Sequence, residues 1–573
     1  MKTRPILTRR PKGKTFVLAF LLFVLISPES QWALPSFFDE LPDHELARSI
    51  LDSMTPEELL GQVFFLGYIG KQPSEHVMRW IKDRHLGGVK IFTRNVASLT
   101  SLASSIEQMQ SMALSARFHI PLLMATDQEG GWVRHIRSGN AVSPGNMAIA
   151  AGGIPEDAFL TGYYLGLELR YLGINMNFAP TVDVYSNPSA IVIGPRAFSS
   201  DPGQTGLFAL AYFRGMRKAG IISTAKHYPG HGDTDTDSHG YLPEIQVTFE
   251  TLWGRDLLPY RLLIKEGLPV IMGGHLAFPK ILGNRQPSTL SPYFLVEVLR
   301  GKLGFEGVVI TDDMEMAGVR RSERDLPEIS LNALMAGNDM ILLSHTPYLQ
   351  DLTWQVLIQT IKQDPGFRER IKTAAERILR LKLRYLKKDF PIKPDVKSIA
   401  EKFPLHQAED FFFNSACRAI TLIKTKDIPY TPKPNERILL VGQVENFFRE
   451  ALKRFPGAEI YEFPYLPLEW SRQLDRQRVP ELARNFDTVI FCLTNQNSLE
   501  VLKSLRSFRG KLLIVSTLTP VYLSQVPWVE SAMAVYAMGS DSFRAGFSAL
   551  LGEFEPEGKL PLAPEMNVQK FPK

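Results

Sequence analysis

Between residues 38 and 385, short runs of apolar and β-branched residues alternate with longer stretches whose apolar residues recur at helical spacing. This alternation is typical of repeated βα units, in which each strand is followed by a helix that returns along the sheet. Eight runs are predicted as strands: residues 62–65, 89–92, 122–125, 175–178, 222–225, 270–272, 308–310 and 340–343. Eight units over about 350 residues predict a (β/α)₈ barrel of the TIM type, with insertions.

Polar residues follow seven of these runs, at the point where each strand is expected to end. In a barrel of this kind the strand interiors are packed core, whereas the loops after the strands converge on one mouth. The residues in that position are Arg94, Asp127, Asp183, Lys226, His227, His275, Asp312 and His345. Any single strand needs a polar boundary, but a succession with several charges predicts a functional site at the mouth.

A second structural unit is expected after the barrel. Residues 386–435 contain several prolines and are predicted as a connector. Beyond it, the runs predicted as buried strands span residues 437–442, 459–463, 488–493, 512–517 and 533–538. Helical stretches separate them, which favours a smaller α/β sandwich with a parallel sheet over residues 436–573. This unit has no Gly-rich phosphate loop, so nucleotide binding has no support.

Basic residues are concentrated at the start of the chain. The formal charge is +5, and six basic residues lie in the first 14 positions, ahead of an apolar run over residues 16–26. A basic segment followed by such a run predicts a secretory signal over residues 1–33, and therefore export to the periplasm or the outside of the cell. Residues 31–33 make a poor cleavage site, so an uncleaved membrane anchor is the alternative.

The rest of the chain is neutral, because the predicted signal removes six of 65 basic residues and one of 60 acidic residues. A neutral chain lacks the basic face that a nucleic-acid partner requires. The content of 45% hydrophobic and 22% charged residues is that of an ordinary globular protein. The two cysteines, Cys417 and Cys492, exclude a disulfide framework, and neither follows the apolar run as a lipid-attachment site would.

The densest group of chemically active residues is the stretch KHYPGHGDTDTDSHGYLP at residues 226–243, with three histidines and three aspartates. One interpretation is a calcium loop, because carboxylates occupy positions 1, 3, 5 and 12 of that template at Asp233, Asp235, Asp237 and Glu244. The template fails because Ser238 replaces the turn glycine and a strand, not a helix, enters the loop. The stretch also lacks zinc-site spacing.

Acid/base catalysis is a second interpretation of this stretch. Asp237 lies two residues before His239, so a short turn can set the carboxylate against one ring nitrogen and leave the other to move protons. A third interpretation is structural, with acidic side chains capping turns. We favour the structural interpretation for Asp233 and Asp235.

The apolar run at residues 308–310 stops abruptly on two acids, Asp312 and Asp313. A carboxylate at such a strand end can be a nucleophile, a general base or a ligand, or can cap the following helix. Successive residues of a strand point in opposite directions. We therefore expect Asp312 to be the nucleophile and Asp313 to be its structural partner.

Several segments combine into a pattern that is more specific than any of them alone. They are the stretch at residues 226–243, DQEGG at 127–131, Ile-Gly-x-Arg-x-Phe at 193–198, TDDM at 311–314 and, as support, GKLP at 558–561. This pattern resembles the β-N-acetylglucosaminidases of glycoside hydrolase family three, in their two-domain form. The resemblance spans most of the chain and agrees with a barrel followed by a sandwich domain.

The resemblance implies a retaining exo-β-N-acetylhexosaminidase that acts on terminal N-acetylglucosamine without a metal or organic cofactor. Its substrates would be cell-wall (peptidoglycan) fragments or chitooligosaccharides. Asp312 would attack the anomeric carbon, and His239, oriented by Asp237, would serve as acid and then as base. The residues implied as sugar contacts are Asp127, Arg196, Lys226 and His227.

One position departs from the family pattern, which has an arginine eight residues after the aspartate of DQEGG. His135 stands there, between Arg134 and Arg137, so the contact belongs either to a neighbouring arginine or to a different mode of binding. The alternatives to the hexosaminidase are a β-glucosidase or a phosphorylase of the same family, and a binding protein that has lost turnover.

Overall fold

The computed structural model describes residues 34–234, 240–320, 322, 325–466, 468–563 and 566. The segment 1–33, predicted as a signal or anchor, lies outside them. The strands are β1 (Phe64–Gly67), β2 (Gly88–Ile91), β3 (Leu123–Thr126), β4 (Gln128–Gly130), β5 (Val133–Arg134), β6 (Met176–Asn177), β7 (Ile222–Tyr228), β8 (Val270–Gly273), β9 (Val308–Asp313), β10 (Met340–Leu343), β11 (Thr421–Thr425), β12 (Ile438–Gly442), β13 (Glu459–Glu462), β14 (Thr488–Leu493), β15 (Lys511–Ser516) and β16 (Ser531–Ala534).

The α-helices are α1 (Asp43–Ser53), α2 (Pro56–Gln62), α3 (Glu75–Arg84), α4 (Leu99–Leu114), α5 (Asn146–Ala151), α6 (Pro155–Tyr171), α7 (Pro202–Lys218), α8 (Phe249–Thr251), α9 (Leu257–Lys265), α10 (Pro279–Leu282), α11 (Leu326–Ala336), α12 (Pro347–Gln363), α13 (Pro365–Leu386), α14 (Ile399–Lys402), α15 (His406–Ala419), α16 (Glu445–Arg454), α17 (Glu469–Ala483), α18 (Gln496–Ser504) and α19 (Ser540–Leu550). Two π-helical stretches also occur in the barrel domain: Leu252–Asp256 leads directly into α9, and Tyr293–Lys302 lies before β9. A short 3-10 turn, Gly194–Arg196, interrupts the long connection between β6 and α7.

Eight parallel strands form a closed barrel in the order β1, β2, β3, β6, β7, β8, β9 and β10. The last strand pairs with the first, with Phe64 opposite Ile341. The strand side chains are almost all buried, because they fill the barrel interior or pack under the surrounding helices. The predicted barrel is confirmed, and each of the eight predicted runs overlaps an observed strand.

Side-chain caps set where individual helices begin. At the start of α2, the Thr55 hydroxyl accepts from the Glu58 backbone N–H while the Glu58 carboxylate accepts from the Thr55 N–H. At the start of α7, Asp201 Oδ1 accepts from the Gln204 N–H at 2.6 Å. The second cap also fixes where the connection between β6 and α7 ends, and this connection carries Arg196.

The second domain is built on a six-stranded sheet in the order β11, β16, β15, β14, β12, β13. Strands β12 to β16 pair in parallel, as expected for an α/β sandwich, whereas β11 is antiparallel to β16. Leu439 and Val441 belong to one core cluster and Leu440 to another, so apolar side chains cover both faces of the sheet. The sheet is therefore mixed, with an antiparallel edge.

The stretch 386–435, predicted as a connector, contains α15 and β11. The second sheet therefore begins at Thr421, before the expected boundary near residue 436. An edge strand is packed mainly on one face, so buried Thr421 and Ile423 alternate with the less buried Leu422 and Lys424. This pattern lacks the continuous apolar run that marks a central strand.

No helix among the described residues is long and apolar enough to cross a membrane. Cys492 is buried, Cys417 is half-buried, and both thiols are free.

Candidate functional site

A bulge in β7 lies at the mouth of the barrel. Between the paired residues Ala225 and Tyr228, β7 has one residue more than the facing stretch of β8. A bulge of this kind breaks the strict alternation of side-chain directions and is common beside active sites. Here it falls at Lys226 and His227, so two successive residues of the strand both reach the predicted site.

A second bulge lies in β9. Between Ile310 and Asp313, β9 has one residue more than the facing stretch of β10. The extra residue falls at Thr311 and Asp312. The predicted binding residues in β7 and the predicted nucleophile in β9 therefore both lie at a β-bulge, which changes the direction of their side chains.

Asp127 follows β3 and is surrounded by basic side chains. Its Oδ1 lies 2.6 Å from Lys226 Nζ, and its Oδ2 lies 2.9 Å from Lys90 Nζ and 3.5 Å from His135 Nε2. Burial alone would raise the pKa of Asp127, but Lys226, Lys90 and His135 hold it well below its ordinary value. Asp127 is therefore an ionised carboxylate that can accept hydrogen bonds from a ligand.

Arg196 forms a buried, two-pronged ion pair. From the 3-10 turn, its Nε and Nη2 donate to the two carboxylate oxygens of Glu129 at 2.9 and 2.8 Å. Lys226 Nζ lies 2.6 Å from the same carboxylate. Burial opposes ionisation, but Arg196 and Lys226 lower the pKa of Glu129 to about 2. Arg196 is thus held rigidly within the site, unlike an arginine in a surface ion pair.

His227 lies between a carboxylate and the Arg196 guanidinium. Its Nδ1 is 2.7 Å from Asp183 Oδ2, and its Nε2 is 3.2 Å from Arg196 Nη2. Asp183 also accepts from the backbone N–H groups of His227 and His231. Burial would raise the pKa of Asp183, but the neighbouring histidines hold it below its ordinary value.

The two acids at the end of β9 have different environments. Asp313 is buried, and its carboxylate accepts from the Glu315 N–H at 3.0 Å and lies 3.3 Å from His345 Nε2. Asp312 is partly exposed, and its Oδ1 accepts from the Asp313 N–H at 2.8 Å. Asp313 therefore holds the strand end and the following turn together, whereas Asp312 presents a carboxylate at the mouth.

The pKa of Asp312 is lowered by its surroundings. Burial would raise it, but the nearby His227, His275 and Lys90 bring it below its ordinary value. His275 is fully buried, and its Nε2 is 3.1 Å from the Asp313 carbonyl oxygen. A carbonyl only accepts, so Nε2 carries the proton and Nδ1 accepts from the Thr289 hydroxyl at 2.9 Å. Asp312 is thus ionised near neutral pH.

Asp237 and His239, predicted as an acid/base pair, lie outside the described residues, as does Asp235. The described base of that loop is anchored at Asp233, whose carboxylate accepts from Arg255 Nη2 at 2.9 Å. Arg255 also pairs with the buried Asp256 at 2.9 Å. These contacts support the structural interpretation of Asp233. Among the described residues, no group of three or more His, Cys, Asp or Glu side chains could hold a metal ion.

The departure at His135 has a clear geometry. The β4–β5 hairpin carries it to Asp127, and its Nδ1 lies 3.2 Å from Thr93 Oγ1. Gln128 Oε1 accepts from the backbone N–H groups of His135 and Ile136, which fixes the hairpin. Arg134 Nη1 instead donates to a backbone carbonyl, and Arg137 Nε donates to the carbonyl of Arg134. His135, not a neighbouring arginine, is the residue that meets Asp127.

The mouth of the barrel thus gathers all four predicted binding residues: Asp127, Arg196, Lys226 and His227. The sequence patterns did not predict that Lys90 and Glu129 belong to this site. Lys90 had a signal, since it is the one charge within the otherwise apolar run of β2, and Glu129 was visible within DQEGG. Fixed donors and acceptors of this density suit a ligand rich in hydroxyl groups, and Asp312 places an ionised carboxylate beside them.

Comparison with protein-family models matches residues 56–381 to the Glycosyl hydrolase family 3 N terminal domain. A Beta-hexosaminidase from Methylococcus capsulatus is 36% identical over 282 residues, which cover 49% of this chain and 81% of that protein. Beta-hexosaminidase A from Pseudoalteromonas piscicida is 35% identical over 321 residues, which cover 51% of this chain and 54% of that protein. This chain therefore spans about half the length of the second relative.

Among solved structures, a glycoside hydrolase family 3 beta-N-acetylglucosaminidase from Paenibacillus sp. str. FPU-7 is similar over both domains. It has a TM-score of 0.82 and 28% identity, and the match covers 89% of this chain and 99% of that one. The family model covers more than half of the present chain, and its matched residues include the whole barrel from β1 to β10. The chain belongs to glycoside hydrolase family 3.

Proposed function

We propose that this protein is a retaining, exo-acting β-N-acetylhexosaminidase. The observation that carries the proposal is the ionised Asp312 carboxylate on the β9 bulge, at the same mouth as the hydroxyl-binding cluster of Asp127, Lys226 and Arg196. A carboxylate in this state is a competent nucleophile towards an anomeric carbon. The cluster beside it would hold the sugar ring by its hydroxyl groups.

In the first step Asp312 attacks the anomeric carbon, and the bond to the leaving oxygen breaks as that oxygen takes a proton from the His239 imidazolium. In the second step His239 takes a proton from water, and the water oxygen attacks the anomeric carbon and releases Asp312. Asp237 would orient the His239 ring. The roles of His239 and Asp237 rest on the sequence motif alone.

The substrate proposed is a glycan with terminal β-linked N-acetylglucosamine, either a cell-wall (peptidoglycan) fragment or a chitooligosaccharide. The names of the Methylococcus and Pseudoalteromonas relatives and of the Paenibacillus structure support the hexosaminidase class. The basic and apolar segment at residues 1–33 supports an exported protein, with attachment to the membrane through that segment as the alternative to cleavage.

The test is release of p-nitrophenol from β-N-acetylglucosaminide and β-glucoside substrates, with and without inorganic phosphate. We expect turnover of the first substrate, loss of at least about a thousandfold in kcat for Asp312→Asn, and a similar loss for His239→Ala. Asp313→Asn is the matched control, because it should lower stability yet retain measurable turnover. A fluorinated substrate analogue that slows the second step should label the peptide that carries Asp312.

Preferred turnover of β-glucoside would instead identify a β-glucosidase, and a sugar phosphate product would identify a phosphorylase. Binding of N-acetylglucosamine by a folded protein that turns over neither substrate would identify a binding protein. Label on a residue other than Asp312 would contradict the proposed nucleophile.

A further inference from the structure

The connection between β6 and α7 contains a stretch, residues 183–200, that lies between the two domains. We call it the bridging segment. Its regular structure consists of one 3-10 turn, Gly194–Arg196. A segment of this length without ladder hydrogen bonds is uncommon in a compact domain and depends on its surroundings for its conformation.

One side of the bridging segment supplies the site. Asp183, at its start, binds His227, and Arg196, near its end, binds Glu129 and His227. The segment also supports the loop that carries the proposed acid/base pair. The N–H groups of Ser186 and Asn187 both donate to the Gly232 carbonyl at 3.1 Å.

Gly232 shows how closely the two stretches approach. A Cβ atom on this residue would lie 1.8 Å from the Val184 carbonyl oxygen, so only glycine fits there. The loop with the proposed acid/base pair begins a few residues after this contact. The bridging segment therefore contacts both His227 and Glu129 at the mouth of the barrel and the base of the loop that carries the proposed acid/base pair.

The other side of the bridging segment is covered by the second domain. Tyr185 and Ile193 are fully buried, and they belong to the same apolar cluster as Tyr522, Tyr536 and Leu562 of the second domain. Burial of this kind favours one conformation of the segment, because each apolar side chain has a complementary place to fill.

Hydrogen bonds also join the second domain to the bridging segment and to the barrel. The Pro561 carbonyl accepts from the Ser199 hydroxyl at 2.9 Å and from the Ser200 N–H at 3.1 Å. Pro561 belongs to GKLP, which thereby ties the end of the second domain to the end of the bridging segment. Lys559, in the same motif, donates its N–H to the Ala151 carbonyl of the barrel at 2.9 Å.

We propose that the second domain is a positioning element of the sugar-binding site: it holds the bridging segment so that Arg196 and Asp183 are aligned with Glu129 and His227. This inference rests on the proposed function for its kinetic test but not for its structural one. Leu562 and Ser199 are positioning residues in this scheme, since neither is part of the charged cluster. The second domain would be required for substrate binding without itself contacting the reacting atoms.

The experiment compares Leu562→Ala with Leu440→Ala in the full-length protein, at a temperature where both variants are folded. Both leucines are buried in the second domain, but Leu440 lies in the cluster on the opposite face of the sheet. We expect Leu562→Ala to raise KM about tenfold, with a smaller effect on kcat, and Leu440→Ala to change KM less than twofold. Ser199→Ala provides a milder second variant if Leu562→Ala does not fold.

Coupling to Arg196 separates positioning from general destabilisation. In an Arg196→Ala background, Leu562→Ala should raise KM by less than a further twofold, because the residue it positions is already absent. An undiminished effect in that background, or an equal effect of Leu440→Ala, would overturn the inference.

Amide hydrogen exchange gives a readout that does not depend on turnover. Peptides covering residues 183–200 should exchange faster in Leu562→Ala than in the wild type, and they should be unchanged in Leu440→Ala. Unchanged exchange in both variants would overturn the inference even if the enzyme is a hexosaminidase. If exchange is faster in Leu562→Ala alone but the wild-type protein is inactive on β-N-acetylglucosaminide, the result would count only against the proposed function.

Discussion

The Nδ1 atom of His227 lies 2.7 Å from the Asp183 carboxylate, while Nε2 of the same ring faces the Arg196 guanidinium at 3.2 Å. A guanidinium has no acceptor, so Nε2 must accept and the ring proton must lie on Nδ1. This pair of contacts selects one neutral tautomer of His227 at the mouth of the barrel. Asp183 therefore sets the proton position on His227, a proposed sugar contact, although Asp183 is not itself one of the proposed sugar contacts.

Asp183→Asn should disrupt this tautomer. An asparagine amide can donate to Nδ1, which would move the ring proton to Nε2 and set it against Arg196. We expect kcat/KM to fall about hundredfold, because a misaligned contact costs on that order. Steady-state kinetics on the best substrate, together with thermal melting, would test this.

Asp351→Asn is the matched control, since Asp351 pairs with Arg84 on the outer helices of the barrel. It should change kcat/KM less than twofold. Equal losses in the two variants would mean that the Asp183 effect reflects stability rather than the state of His227.

Lys90→Met should change the pH dependence of catalysis. Lys90 helps to lower the pKa values of Asp127, Asp312 and Asp313. Removing its charge raises these pKa values, so the carboxylates take up protons at a higher pH and the acidic limb of kcat/KM moves upward. A pH–rate profile would show the shift, and Lys82→Met, on the exposed end of α3, should leave the profile unchanged.

His135→Ala should weaken substrate binding. The His135 ring is oriented by Thr93 and meets the ionised Asp127, so its loss removes a hydrogen-bonding group from the site. Such a group contributes about 1.5 kcal/mol, which corresponds to a KM about tenfold higher. Arg137→Ala is the control and should leave KM unchanged. A larger effect of Arg137→Ala than of His135→Ala would show that the arginine, after all, contacts the sugar.

Lys382→Met should change the pH dependence of stability. Lys382 is fully buried in α13 and donates to Gln62 Oε1 at 2.8 Å, and burial lowers its pKa from 10.5 to about 7. Between these values the unfolded chain binds the proton and the folded protein does not. The free energy of unfolding should therefore rise with pH over this window, by up to about 1.4 kcal/mol per pH unit.

In Lys382→Met this rise should be reduced. Denaturant unfolding at a series of pH values between about 7 and 10 would measure it. Lys372→Met, on the same helix, is the control, because Lys372 is exposed and pairs with Asp52. A slope that stays at the wild-type value in Lys382→Met would show that another group is responsible.

The sequence by itself determined the barrel and most of the second sheet. Buried parallel strands are continuous apolar runs, and the helices between them have their own period, so both can be read without tertiary information. The same regularity placed Asp127, Lys226, His227 and Asp312 at one mouth, because strand ends in a barrel converge there. The edge strand β11, which is buried mainly on one face, fell below this signal, as did the short hairpin strands β4 and β5 outside the two sheets.

The tertiary structure decided how these residues are arranged. The bulges at Lys226–His227 and at Asp312 depend on pairing with β8 and β10, and local sequence does not encode that register. The contacts of Lys90 with Asp127 and of Asp183 with His227 join residues that are far apart in the chain. The second domain's cover over residues 183–200 is likewise a product of packing, because Tyr185 and Ile193 share an apolar cluster with side chains that are far away in the chain.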